Sequence, residues 1–522
     1  MLSLRRLAPA LLVLPLLAGC GSSSAPQKSY SGKFPAGSLS VGGKFIFGAS
    51  VAGFQVDMGC PTLPASECDD PDSDWYQFVT SPVTVNDAAT HLNGESPDDG
   101  PGEWELYEQD IDLVKNGLHG SGFRFSFEWS RIFPKPTWGV TGYDALKKIA
   151  DPKALAHYHA MLKVMKADGI TPLVTLNHYT LPTWVHDGVG CHQDLAHCSP
   201  RGWVDKDKTV AEIAKYAGFC AKEFGGEVDL WATENEPFAV VLPGYIEPTD
   251  QRSNPPAVTL DAADAKTVMV AMIEGHARMY DAIKANDGVD ADGDGKASRV
   301  GVVYAMAPIA PADPHDPVDV QGAKNAFYLW NMVYLDAVAK GDLDANMDGH
   351  PVHRDDLANR MDYIGVNYYT RITAHGQTKP FLSDLSPLTT FNPFTLKTYE
   401  DYPKGIYEMA MVVKNDLHLP MIITENGAAD PNDNIAPSYM TRHLTWLSRA
   451  IQDGADVGGY FYWTLMDNYE WNHGMSMKFG LYAVDPKDPD KKRVPRQAVD
   501  AFRQIADAEA VPDALRKKYP VK

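Results

Sequence analysis

The chain has 522 residues, 44% of them hydrophobic and 22% charged, which excludes a disordered or fibrous chain and leaves ample material for a large core. Its formal charge is −21, from 47 basic and 68 acidic residues, so it repels phosphate backbones and nucleic acid is not an expected partner. Six cysteines are too few for a disulfide-built scaffold.

The first element reads as an address. Arg5 and Arg6 precede LAPALLVLPLLAG, an apolar run too short and too proline-broken for a comfortable transmembrane helix. Leu17-Ala18-Gly19-Cys20 resembles a bacterial lipobox, in which Cys20 becomes the lipidated first residue; a plain signal peptide with an incidental cysteine is the alternative. The expected organisation is a signal peptide over 1–19, a lipidated Cys20 and flexible tether over 20–40 (GSSSAPQKSYS at its start), a folded domain over 41–510, and a tail over 511–522. Gly21 stands where an Asp would retain such a lipoprotein in an inner membrane. A bacterial cell-envelope protein is therefore expected, held by Cys20 in the outer membrane or at the cell surface. Its oligomeric state is not legible.

Export permits disulfides. Cys60 and Cys68 flank one proline-containing loop, and Cys191 and Cys198 flank another; each pair could close its loop, though spacing alone does not fix the pairing. Cys191, His192, His197 and Cys198 also suggest zinc, but their spacing departs from common ligand separations. Cys220 lies in a helical pattern and is expected as a buried thiol.

Short β-rich runs then alternate with helical patterns such as Leu155–Asp168 and Met440–Asp453. In chain order the strands are expected at Phe45–Ser50, Gly122–Phe127, Pro172–Leu176, Val228–Thr233, Arg299–Tyr304, Asp362–Tyr368, Pro420–Thr424 and Gly458–Thr464. Apolar strands alternating with helices indicate a parallel sheet buried on both faces, and eight of them indicate an α/β fold, a single (β/α)8 TIM barrel with function at the C-terminal strand ends.

Those ends carry Gln55, Arg124, His178, Asn235, Glu236, Asn367, Tyr369, Glu425 and Trp463. Two carboxylates, a guanidinium, amides, a histidine and aromatic walls on one mouth suit acetal cleavage. That reaction needs a proton donor to the leaving oxygen and a carboxylate facing the oxocarbenium-like centre. Aromatic faces and paired hydrogen bonds suit sugar rings.

At seven segments the sequence resembles glycoside hydrolase family 1, the β-glucosidase/β-galactosidase family: FGASVAGFQVD, GFRFSFEWSRIFP, TLNHYTLPTW, TENEP, DYIGVNYYTR, IITENG and YWTLMDNYEW. NHYTLPTW and GMSMKFGL look closer to archaeal-type β-glycosidases than to plant members. The resemblance covers about residues 42 to 508 and implies a single barrel, hydrolysis with retention, and no cofactor for catalysis. It makes Glu236 the acid/base and Glu425 the nucleophile, with Arg124, Tyr369 and Asn367 in support; Glu234 takes the pattern's free position and reads as structural. On this reading Glu425 stays ionised, and its charge favours a protonated Glu236 at the start of the reaction. The resemblance also implies that Gln55, His178, Asn235, Glu470 and Trp471 bind the terminal sugar and Trp463 forms its floor. The implied partner is a β-linked oligosaccharide or an aryl or alkyl β-glycoside. Met477 and Phe479 replace the Lys and Tyr of phosphoglycoside specialists. Tyr179 follows His178 where a Trp is usual, Tyr399 stands at a platform position for the leaving group, and Asn472 and His473 match no family role.

Outside this set, Asp344, Asn346, Asp348 and Asp355 have the spacing of a calcium loop, and Asp290, Asp292 and Asp294 begin a second that lacks its closing acid, since Gly301 takes that position. Any Ca2+ there would be structural; solvated turns are the plainer alternative. A lipid-anchored glycan-binding protein on the same barrel is the competing function, and loss of Glu236 or Glu425 would have favoured it. Transglycosylation is a third, inseparable from hydrolysis by sequence.

Overall fold

The computed structural model describes residues 30–383 and 388–521. The expected signal peptide and Cys20 lie outside the described residues. Among the described residues no helix is long and apolar enough to cross a membrane.

Eight parallel strands close into a barrel: β1 (Ile46–Ser50), β2 (Gly122–Ser126), β3 (Thr171–Asn177), β4 (Leu230–Asn235), β5 (Arg299–Ala305), β6 (Tyr363–Asn367), β7 (Met421–Glu425) and β8 (Val457–Trp463). Each pairs with its sequence neighbours and β8 returns to β1, with Ser50 opposite Trp463 and Arg124 opposite both Ser50 and Leu173. Every expected strand is present, with ends moved by at most two residues.

Alternation along the strands separates two cores. Ile46, Leu173, Leu230, Tyr363, Ile422 and Phe461 fill the barrel interior, joined by Leu39. The larger core lies between the barrel and its helices, among them α1 (Pro152–Asp168), α2 (Lys206–Phe224), α3 (Ala262–Asn286) and α4 (Ala436–Gln452). Helix α1 starts three residues before the apolar periodicity does. Asp151 caps it by accepting from the Lys153 and Ala154 amides, and Pro152 supplies a preset first turn.

Both expected domain boundaries move outward. Phe34 is buried against Phe45 and Phe47, and Leu39 joins the barrel interior, so residues 30–40 belong to the folded body rather than to a flexible tether. At the other end Val511 and Leu515 are buried, the latter on a helix over Asp513–Lys518, so the expected tail packs as well. Apolar residues in short polar surroundings hid both segments.

Candidate active site

Two breaks in strand register aim the carboxylates. Along β4, Leu230 and Ala232 face the barrel interior, and the pairing with β5 shifts between Ala232 and Asn235. Thr233 and Glu234 therefore both turn to the helices: the Thr233 hydroxyl lies 2.6 Å from His276 Nδ1, and Glu234 accepts the Tyr334 hydroxyl at 2.8 Å. That leaves Asn235 and Glu236 at the mouth. Burial pushes the Glu234 carboxyl well above the ordinary range, with the Tyr334 hydroxyl pulling it down, and it sits behind the barrel, turned from the mouth. The β7 pairing with β6 shifts between Ile423 and Glu425, next to the second carboxylate. Irregular pairing beside functional groups is the usual way a strand end re-aims a side chain. Glu236 itself has φ +45°, an uncommon conformation for a residue with a side chain.

The two carboxylates have different surroundings. Glu425 is hydrogen-bonded by the guanidinium of Arg124, a fully buried side chain, and accepts the Tyr369 hydroxyl at 2.5 Å. Glu236 accepts from Asn367 Nδ2 at 2.7 Å through Oε1 and from the Tyr179 hydroxyl at 2.6 Å through Oε2. Asn367 is fixed in turn by the Thr424 hydroxyl at 2.7 Å. One carboxylate thus faces a permanent cation, the other two neutral donors.

Burial pushes the Glu425 carboxyl up to about 7, with Arg124 pulling it down, the nearby Glu236 charge pushing it up and Tyr369 pulling it down. A carboxylate placed to attack a carbon does so only in its ionised form. Protonation of Glu425 removes that form, so kcat/KM on an aryl β-glycoside is expected to fall as pH drops below about 7. An acid limb near the ordinary value of 4.5 would show that Arg124 and Tyr369 outweigh burial.

Hydrogen-bond accounting also sets a tautomer. Asn235 Oδ1 accepts from Arg124 Nη2 at 2.8 Å and from Asn367 Nδ2 at 3.2 Å, so its Nδ2 must be the group 3.1 Å from His178 Nε2. Burial, Arg124 and Arg252 hold His178 well below its ordinary range, hence neutral. Its Nε2 accepts, which assigns the ring proton to Nδ1, an atom with no protein partner. Gln55 is similar: Nε2 donates to Glu470 Oε2 at 3.0 Å, and Oε1 is unpartnered. A buried donor and a buried acceptor without partners, both in the wall of one cavity of about 360 Å³, suit the hydroxyls of a sugar. His178 lies nearly parallel to Trp463 and to Trp471, each at 5.9 Å between ring centres. Farther out the wall is apolar, with Phe238, Leu242, Trp330 and Ile372, and the half-exposed Tyr399 stands at the rim on a strand over Lys397–Glu400. Phe479 also lines the cavity.

The catalytic and sugar-binding residues expected from sequence share this one cavity or touch it directly. Arg252, which also lines it, had no sequence signal: it lies in a loop beyond β4 outside every recognised segment. Tyr179 was expected only as an altered wall, and the reach of its hydroxyl to Glu236 depends on a backbone φ of +74° that no pattern announces.

Cys60–Cys68 and Cys191–Cys198 are disulfides, and Cys220 is a buried free thiol. With both sulfurs of the second loop bonded to each other, no thiolate is left for zinc. The acidic loops differ from each other. Asp344 is turned inward onto the Asp348 and Gly349 amides and the Tyr328 hydroxyl, and the almost fully exposed Asp355 bonds His353 instead of closing the loop beside Asn346 and Asp348. In the other loop Asp290 and Asp292 come together with Asp229, a residue sequence spacing did not supply, while Asp294 pairs with Arg299.

The model of glycosyl hydrolase family 1 matches residues 39–511. A β-galactosidase of Pyrococcus woesei is 34% identical over 91% of this chain and 98% of its own length. Among solved structures, the β-glycosidase of the hyperthermophile Thermosphaera aggregans superposes with a TM-score of 0.78 at 31% identity, covering 94% of this chain and all of its own. A hyperthermophilic β-glucosidase from Pyrococcus furiosus gives 0.76 at 32% identity, over 94% of this chain and 98% of its own. The chain belongs to glycosyl hydrolase family 1. It is a retaining β-glycosidase, a hydrolase of a family whose chemistry needs no cofactor.

Proposed function

We propose that Glu425 is the nucleophile and Glu236 the acid/base, acting on terminal non-reducing β-D-glucosides foremost and also on β-galactosides and β-fucosides. The observation that carries the assignment is the asymmetry of the two carboxylates. Arg124 and Tyr369 favour a charged Glu425 able to attack the anomeric carbon, while Glu236, between neutral donors, is free to exchange a proton. In the first step Glu425 bonds to the anomeric carbon as Glu236 protonates the leaving oxygen. Glu425 is then a neutral ester, so Glu236 is freed of a neighbouring charge and takes a proton from the water that releases the sugar. Asn235 faces the 2-hydroxyl, a contact that strengthens at the transition state. Gln55, His178 and Glu470 meet the other ring hydroxyls over Trp463 and Trp471, and Tyr399 meets the leaving group. A glucose and galactose range is supported by relatives named for each, the β-galactosidase of Pyrococcus woesei and the β-glucosidase of Pyrococcus furiosus, in keeping with the archaeal-type segments. The test is a panel of p-nitrophenyl glycosides. Turnover of β-glucoside and β-galactoside supports the reading, and turnover confined to phosphorylated or α-linked sugars overturns it.

We also infer a lipid-anchored enzyme of the bacterial cell envelope. Leu17-Ala18-Gly19-Cys20 after the apolar run supports this, as do two disulfides, which persist in oxidising compartments. Cys20→Ser is expected to abolish the lipidated form in detergent fractions, while a truncation beginning at Gly21 stays active. Mass spectrometry showing an unmodified Cys20 in the mature protein would contradict the anchor.

A further inference from the structure

We propose that Arg252 and Tyr179 form a relay onto Glu236 that stabilises its carboxylate form and positions it for the water-activating step. This rests on Glu236 being the acid/base. Tyr179 donates its hydroxyl to Glu236 Oε2 at 2.6 Å, and the Tyr179 hydroxyl oxygen in turn accepts from Arg252 Nη2 at 3.0 Å. Because Arg252 can only donate, the Tyr179 proton is directed away from it and toward Glu236. Withdrawal of electron density by the guanidinium makes that hydroxyl a stronger donor.

Both members are held in place. The Tyr179 ring packs on Trp471 at 4.7 Å and on His178 at 5.1 Å, and the residue keeps a φ of +74°, a conformation that costs free energy for an aromatic residue and persists only where its surroundings impose it. Arg252 donates from Nη1 to Glu470 Oε1 at 3.2 Å and lies 5.5 Å from the centre of the Trp471 ring. Its loop is tied down by the two residues without a family role: Asn472 Oδ1 accepts from the Ser253 amide at 3.3 Å, and His473 Nε2 bonds the Gln251 carbonyl at 3.1 Å. The asparagine and histidine after Trp471 therefore present Arg252 to the site.

The relay acts on Glu236 in both steps. In the first step Glu236 gives its proton to the leaving oxygen, and the resulting carboxylate receives the Tyr179 hydroxyl. In the second it removes a proton from water as the oxygen of that water bonds to the anomeric carbon and the ester bond to Glu425 breaks. Tyr179 keeps its own proton throughout. Besides the relay, the titratable groups facing Glu236 are Glu425 and Tyr369 from the β6–β7 side, Tyr304 from β5, Tyr399 from the rim and Glu470 beyond Arg252. None of these is hydrogen-bonded to the Tyr179 hydroxyl, whose partners are Glu236 and Arg252.

Tyr179→Phe keeps the packed ring and deletes only the relay. A donor lost from a charged acceptor favours the protonated acid, so the alkaline limb of kcat/KM is expected to move up by about one pH unit. With an activated aryl glycoside, whose second step limits turnover, kcat is expected to fall about tenfold. Arg252→Met is expected to move the limb in the same direction. Glu236→Ala is assayed alongside with azide as an external nucleophile. Azide rescue giving the β-glycosyl azide, together with an unmoved alkaline limb in Tyr179→Phe, overturns the relay and leaves the role of Glu236 intact. Failure of azide to rescue Glu236→Ala, with undiminished turnover of unactivated glycosides, removes the acid/base assignment and the relay with it.

Discussion

Glu425→Gln is expected to cut kcat on every β-glycoside by about 10⁴-fold or more, the scale on which loss of a covalent nucleophile lowers turnover in other hydrolases. The amide is close in shape to the carboxylate: its one oxygen still accepts from Arg124 and its NH2 can donate to the Tyr369 hydroxyl oxygen, so the cavity survives. What disappears is the negative charge that attacks the anomeric carbon. The loss is expected to be uniform across leaving groups, because no choice of phenol restores an attacking oxygen. Steady-state kinetics on a dinitrophenyl and an alkyl glycoside check this directly, and near-normal turnover of either would remove Glu425 from the mechanism.

Glu236→Gln has a different expected signature. General acid catalysis contributes about 10²- to 10⁴-fold, and an alkyl glycoside requires all of it because its alkoxide is a poor leaving group. A dinitrophenolate departs without protonation, so the first step is largely spared with that substrate. Release of the sugar still needs a base, so the ester on Glu425 is expected to accumulate and to show as a burst of phenolate. Equal losses on good and poor leaving groups, without a burst, would contradict the assignment.

How much of this was legible in the sequence follows from the length scale of each signal. All eight strands were visible as apolar runs because both of their faces are buried, and runs such as PMIIT and GGYFYWT need no partner to be recognised. The positions of Glu236 and Glu425 were legible for the same reason: a carboxylate at the end of such a strand falls at the barrel mouth. The double outward turn of Thr233 and Glu234 was not, since a shift in register depends on the neighbouring strand. Arg252 was invisible because the contacts that make it matter, with Tyr179 and Glu470, are 73 and 218 residues away in the chain. The docked segments around Phe34 and Leu515 escaped because each buries only one or two apolar residues, too few to make a periodic pattern. Spacing likewise suggested a closing Asp355 that the structure turns toward His353, and missed Asp229, which reaches its loop from just before β4. Local rules of strand and motif thus named residues that share one cavity, and contacts distant in sequence decide how those residues are held.

The most direct measurement is to trap the intermediate. A 2-deoxy-2-fluoro β-glucoside with a dinitrophenolate leaving group reacts slowly at an electron-poor anomeric centre, and the ester it forms is hydrolysed more slowly still. Peptide mass spectrometry of the inactivated enzyme is expected to place one fluorosugar on Glu425, in the segment MIITENG, with Glu236 unlabelled. A fluorosugar on any other residue would contradict the account.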